Sequence, residues 1–270
     1  MTPSYPPPVD RLLAMGRPEF PGDWADYREM GITGEHVPEL IRMLSDPELA
    51  AAGEDSAEVW APVYAWRALG QLGAEAAVEP LVQVLENDDD DWAHEELPAV
   101  FGMLGPAAVE PLRVALARQS IGFDVITGAT TANGLAEIAK RHPETRSAVV
   151  DILVRQLRWS GRQHPALNAF LVGDLIELKA VETAPLIEEI YAAGEADISV
   201  MGDWEDVQLE LGLISERVTP RPRYWTYTPH LRPSPGTPKA AHGGAIPRGD
   251  VEKRRRKAEK AARRRNRKRR

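Results

Sequence analysis

The chain has 270 residues, of which 43% are hydrophobic and 27% charged, so most of it can build a packed core around apolar side chains. It contains no cysteine, which excludes a disulfide framework, a thiol nucleophile and a thiolate metal site. The net charge of −8 divides unevenly: residues 251–270 hold 13 of the 33 Lys and Arg against two acids, leaving the first 250 residues with 20 basic and 39 acidic groups, a balance of −19.

In chain order, residues 1–22 are rich in proline and read as a disordered lead-in. Met1 to Pro8 lack the basic start and apolar run of a signal peptide, and no window approaches the ~20 consecutive apolar residues of a membrane helix. A cytoplasmic protein with no membrane partner is the expectation. Residues 23–215 form the body, helical from about Glu35 to Leu213 and punctuated by Gly, Pro and Asp. Residues 216–250 are a Pro/Gly-rich linker and 251–270 a basic tail.

Internal similarity is the strongest signal in the body. Ala77-Val78-Glu79-Pro80-Leu81 recurs without change as Ala108-Val109-Glu110-Pro111-Leu112, 31 residues later. Each run follows a Leu-Gly pair, Leu72-Gly73 and Leu104-Gly105, where glycine suits the left-handed position just past a helix end. Pro80 and Pro111 fall in the first turn of the next helix, where a missing N–H costs little. Helical stripes recur at Ala65, Ala68, Leu69 and Leu72, at Val78, Leu81, Val82 and Leu85, and at Val150, Leu153, Val154 and Leu157. One helix pair has too little apolar face to stand alone, so roughly five pairs must stack. The fold class that follows is all-α, a short α-solenoid of helical hairpins.

Trp66-Arg67-Ala68-Leu69-Gly70-Gln71-Leu72-Gly73, followed by Ala77 to Leu81, resembles HEAT-type repeats, in particular the phycobilisome-lyase-like HEAT class. Trp92 to Gly105, Leu135 to Pro143, His164 to Lys179 and Met201 to Asp206 are similar to segments of uncharacterised bacterial HEAT-repeat proteins. The resemblance implies a HEAT-like solenoid and says little of activity, since such solenoids carry many unrelated binding roles. Some proteins of that kind end in a cysteine-rich zinc motif; with no cysteine here, that function does not carry over.

Two acidic stretches stand at predicted helix starts. Asp91, Trp92, Glu95 and Glu96 follow Asp88-Asp89-Asp90, and Asp203, Trp204, Glu205 and Asp206 follow Gly202. Acids there cap helices and favour the positive end of the helix dipole, and tryptophan plugs gaps between repeats. Their functional reading is a partner-binding rim on one edge of the solenoid. Gly128 to Gly134 suits close helix packing better than phosphate binding. No metal-ligand spacing, catalytic triad or phosphate loop stands out, so neither a cofactor nor an enzyme is expected.

In the tail, Arg254, Arg255, Arg256, Arg263, Arg264 and Arg265 are candidate nucleic-acid contacts, as phosphate neutralisation needs only such cations. The expected function is a non-catalytic protein-interaction scaffold whose tail is a candidate contact for RNA or the ribosome. The alternatives are a HEAT-fold enzyme or lyase-like subunit, and a nucleic-acid-binding protein acting mainly through the tail.

Overall fold

The structure, a computed structural model, describes residues 4–19, 23–53, 55–87, 91–122 and 125–221. The linker beyond Arg221 and the whole basic tail, with its six candidate arginines, lie outside the described residues, as do Asp88, Asp89 and Asp90.

Among the described residues the chain is all-α, with twelve α-helices and no strand. They are α1 (Val37–Leu44), α2 (Pro47–Ala50), α3 (Ala61–Leu72), α4 (Val78–Asn87), α5 (Asp91–Leu104), α6 (Val109–Gly122), α7 (Val125–Arg141), α8 (Arg146–Leu157), α9 (Pro165–Glu177), α10 (Ala184–Ala192), α11 (Ile198–Met201) and α12 (Trp204–Glu210). Helices α3, α5, α7 and α9 pack side by side as one layer, continued by α11; α1, α4, α6 and α8 form the second layer, and α10 packs on α12. Four full hairpins, α3/α4 through α9/α10, therefore make the centre of the stack, with partial units at each end.

Local chemistry sets the boundaries. The α3 helix carries Pro62 in its first turn and stops at Gly73, whose φ of 63° is left-handed. Gly105 (φ 77°) occupies the same place after α5. His164 caps α9 through its side chain, which accepts from the Ala166 N–H at 3.2 Å, and Pro165 opens the helix. The repeated stripes point inward as their spacing predicts: Leu69, Leu81, Leu85, Leu112, Leu153 and Leu157 are fully buried.

The run from Trp92 to Arg118 is long and apolar enough in composition to cross a membrane, but the left-handed Gly105 breaks it into α5 and α6. Half of its most apolar window is buried within the repeats.

Gly128 to Gly134 packs as expected. A Cβ on Gly134 would come within 3.2 Å of Phe101 and 3.3 Å of Leu112, so the missing side chain lets α7 approach α5 and α6. Thr130 and Thr131 turn their hydroxyls back onto the Ile126 and Thr127 carbonyls at 2.9 and 2.7 Å, which satisfies them inside the core.

The lead-in departs from expectation. Ser4 to Glu19 is folded: Tyr5, Val9 and Leu12 are buried, and the 3-10 turn Val9–Ala14 packs on α3. The Tyr5 hydroxyl donates to Asp46 at 2.6 Å, and the Tyr64 hydroxyl donates to the Gly16 carbonyl at 2.9 Å. The physical reason is the exposed side that the first full hairpin would otherwise present, since terminal repeats need a cap. At the other end the body continues past residue 215, because Arg217 and Arg221 are ion-paired to α12.

Candidate interaction surface

The first acidic stretch does not form an exposed rim. Asp91 opens α5. Trp92 is buried, its ring edge-on to Trp60 with centroids 5.5 Å apart. Glu96 is 3% exposed and faces α3, where it takes the Arg67 Nε at 2.7 Å and the Trp66 indole N–H at 3.0 Å. Glu95 stays on the surface. The rim reading therefore fails for Trp92 and Glu96, because the α5 stripe that carries Ala93, Leu97 and Val100 also carries them inward.

The second stretch is engaged within its own surroundings. Asp203 caps α12, and a capping box joins it to Asp206: the Asp206 N–H donates to Asp203 at 3.1 Å and the Asp203 N–H to Asp206 at 3.3 Å. Arg217 grips Asp203 with both terminal nitrogens at 2.7 Å and reaches Asp206 at 2.8 Å, while Arg221 adds a contact to Asp206 at 3.2 Å. Hydrogen bonding from Arg217 holds the Asp203 carboxyl below the usual carboxylate range, and Asp203 in turn pushes the Arg217 pKa up. Glu205 accepts from the Thr219 N–H at 3.0 Å and its hydroxyl at 2.7 Å, and Trp204 lies tilted against Tyr191, centroids 6.2 Å apart. These acids cap α12 and clasp the segment that follows it.

A different surface emerges at the C-terminal ends of the first-layer helices. An open groove of about 550 Å³ runs across the ends of α3, α5 and α7, walled on one side by Trp24 and Arg28. Glycine stands at matching places along its floor. Gly70 and Gly73 near the end of α3 correspond to Gly102 and Gly105 near the end of α5, each pair 32 residues from the other. A Cβ on Gly70 would meet Val100 at 3.2 Å and Met103 at 3.3 Å. One on Gly102 would meet the Arg141 stem at 3.0 Å, and one on Gly105 would strike the His142 ring at 2.8 Å. The bare backbone at the end of α5 thus seats Arg141 and His142 where α7 closes; the Arg141 cation also suits the negative pole of that helix.

The N-terminal wall is tied down by Gln71, whose side chain accepts from the Tyr27 N–H at 3.0 Å and donates to the Ala25 carbonyl at 2.8 Å. Arg28 donates to the Gln71 carbonyl. Among the described residues, no carboxylate lies within ion-pair distance of either Arg28 or Arg141, a condition they share with Arg11, Arg17, Arg155, Arg158 and Arg162, whereas seven other arginines are ion-paired to acids. None of these groove residues belongs to the expected rim. The one signal for it was the repeated glycine spacing.

The comparisons agree with this architecture. Residues 63–87, from within α3 to the end of α4, match the family model of the PBS lyase HEAT-like repeat. The match bears out the resemblance to HEAT-type repeats over that one hairpin, and the stacked helical hairpins around it are consistent with a helical-repeat fold. No curated protein and no solved structure matches it.

Proposed function

We propose that this HEAT-like body is a non-catalytic scaffold that binds a protein partner in the cytoplasm. The observation carrying the proposal is the groove across the ends of α3, α5 and α7. Three successive repeats build it together, so a surface of that length exists only in the stacked state. It is open rather than enclosed, and its lining mixes Trp24, Leu72 and Met103 with Arg28, Gln71 and Arg141, the composition of a contact patch with an apolar centre and polar surroundings.

The test is capture from native lysate with the intact protein as bait, with and without nuclease. Met103→Lys places a charge in the groove and serves as the control for site. A partner retained after nuclease and lost with Met103→Lys supports the proposal; capture that disappears with nuclease refutes it in favour of action through nucleic acid. That second reading rests on the 13 basic residues within 251–270, for which RNA or ribosome contact is a candidate role. Co-purifying pigment would instead favour a lyase-like role.

A further inference from the structure

Resting on the scaffold reading above, we infer that the groove recognises an extended protein segment through the side-chain carboxylates of Asp or Glu, with Arg141 as the principal anchor and Arg28 as the second.

The argument begins with charge. The chain up to residue 250 carries a balance of −19, so a basic partner would be the default expectation. The groove runs against that background, because its lining carries Arg28 and Arg141 against the single acid Asp26, with Glu144 3.7 Å from His142 at its edge. Arg141 is exposed, with no carboxylate in ion-pair reach among the described residues. Its side chain lies over Gly102, where a Cβ would come within 3.0 Å of its Cδ and Nε. An exposed guanidinium with no carboxylate in reach can offer its fork to a carboxylate in a bidentate contact.

The shape selects a chain segment. The groove is open and its lining comes from three helix ends, which suits an extended backbone better than a compact molecule. Leu72 and Met103 lie within it, so aliphatic side chains of the same segment can pack between the two arginines. Trp24 supplies an aromatic wall, and the Arg67 guanidinium, 5.1 Å from its ring, braces that wall from behind.

The test uses the intact protein and a fluorescein-labelled, C-terminally amidated peptide of alternating leucine and glutamate, read by fluorescence anisotropy. The same peptide with glutamine for glutamate is the first control, and a labelled oligouridine is the second. The glutamate peptide is expected to bind about tenfold or more tightly than the glutamine peptide, with affinity falling as salt rises. Arg141→Gln should cost about tenfold in affinity and Arg141→Lys less, since lysine retains the charge and loses the fork. Thermal melting of both variants checks that the fold is retained. Equal affinity for the two peptides, no binding of the glutamate peptide, or indifference to Arg141→Gln in a folded protein would each overturn the inference. So would Arg141-dependent binding of oligouridine in place of peptide. If nuclease-resistant capture from lysate survives Arg141→Gln while the peptide fails, the scaffold reading stands and the carboxylate chemistry falls.

Discussion

Arg67 on α3 and Glu96 on α5 form an ion pair across two neighbouring repeats, 4% and 3% exposed respectively. The Arg67 Nε donates to Glu96 at 2.7 Å, the Trp66 indole adds a bond at 3.0 Å, and the guanidinium also lies 5.1 Å and 5.7 Å from the Trp24 and Tyr64 rings. Removing one partner strands the other charge in the core. Glu96→Ala should therefore lower stability by about 3–5 kcal/mol, while Arg67→Met combined with Glu96→Leu should cost far less than either single change. Urea unfolding of the unaltered protein, Glu96→Ala, Arg67→Met and the Arg67→Met/Glu96→Leu double variant compares them; a loss under about 1 kcal/mol for Glu96→Ala would show that the pair is not buried.

Gly73 and Gly105 hold equivalent positions with left-handed φ values of 63° and 77°, but only Gly105 touches another side chain. Gly73→Ala should cost about 1–2 kcal/mol, the conformational penalty alone. Gly105→Ala should cost more, because its Cβ would meet His142 at 2.8 Å. Adding His142→Ala to Gly105→Ala should recover part of that excess. Equal melting temperatures for the two glycine variants would contradict the packing of α7 on α5.

Asp174 on α9 lies in the core, where it accepts from Asn133 on α7 at 3.1 Å and its second oxygen has no hydrogen-bond partner. Burial first, then the nearby Glu177 and Glu137, push its pKa up to about 8, against the lowering influence of Asn133 and Lys140. A raised carboxyl pKa means that the folded state holds a proton which the unfolded chain releases near pH 4. Stability should fall as pH rises from about 4 to 8, with the penalty fully present above the folded value. Asp174→Asn keeps an acceptor for Asn133 and removes the titration. Melting against pH should show the variant more stable by about 1–3 kcal/mol at pH 8, with the gap closing towards pH 4. Parallel curves at every pH would refute this account.

Leu81 and Leu112 occupy the same place in two repeats and both are fully buried. Each Leu→Ala change should destabilise by about 2–5 kcal/mol, with the whole helical signal melting together because neighbouring hairpins bury one another. Circular dichroism during urea unfolding reads both quantities, and near-zero loss at either position would displace the register.

The repeat was legible because its signals are local. Leucine spacing, proline in a first turn and glycine past a helix end each follow from the geometry of a single helix, and Leu81, Pro80 and Gly73 stand where that geometry requires. The N-terminal segment misled because the consecutive prolines at 6–8 obscured a helical spacing. Tyr5, Val9 and Leu12 fall at i, i+4 and i+7, and all three are buried.

By itself, then, the sequence determined the all-helical class, the hairpin unit and the buried leucine positions, since periodicity is a property of the backbone that any stretch of chain displays alone. Only the tertiary structure decided which charges face inward. Glu96 carries the same formal charge as the exposed Glu95 beside it, and its burial depends on Arg67 arriving from 29 positions earlier. The acids of α12 were likewise settled by Arg217, and the groove by Arg141 lying over a glycine of the preceding repeat. A buried charge is tolerated only where a partner meets it, and partners from separate repeats meet only once the stack has formed.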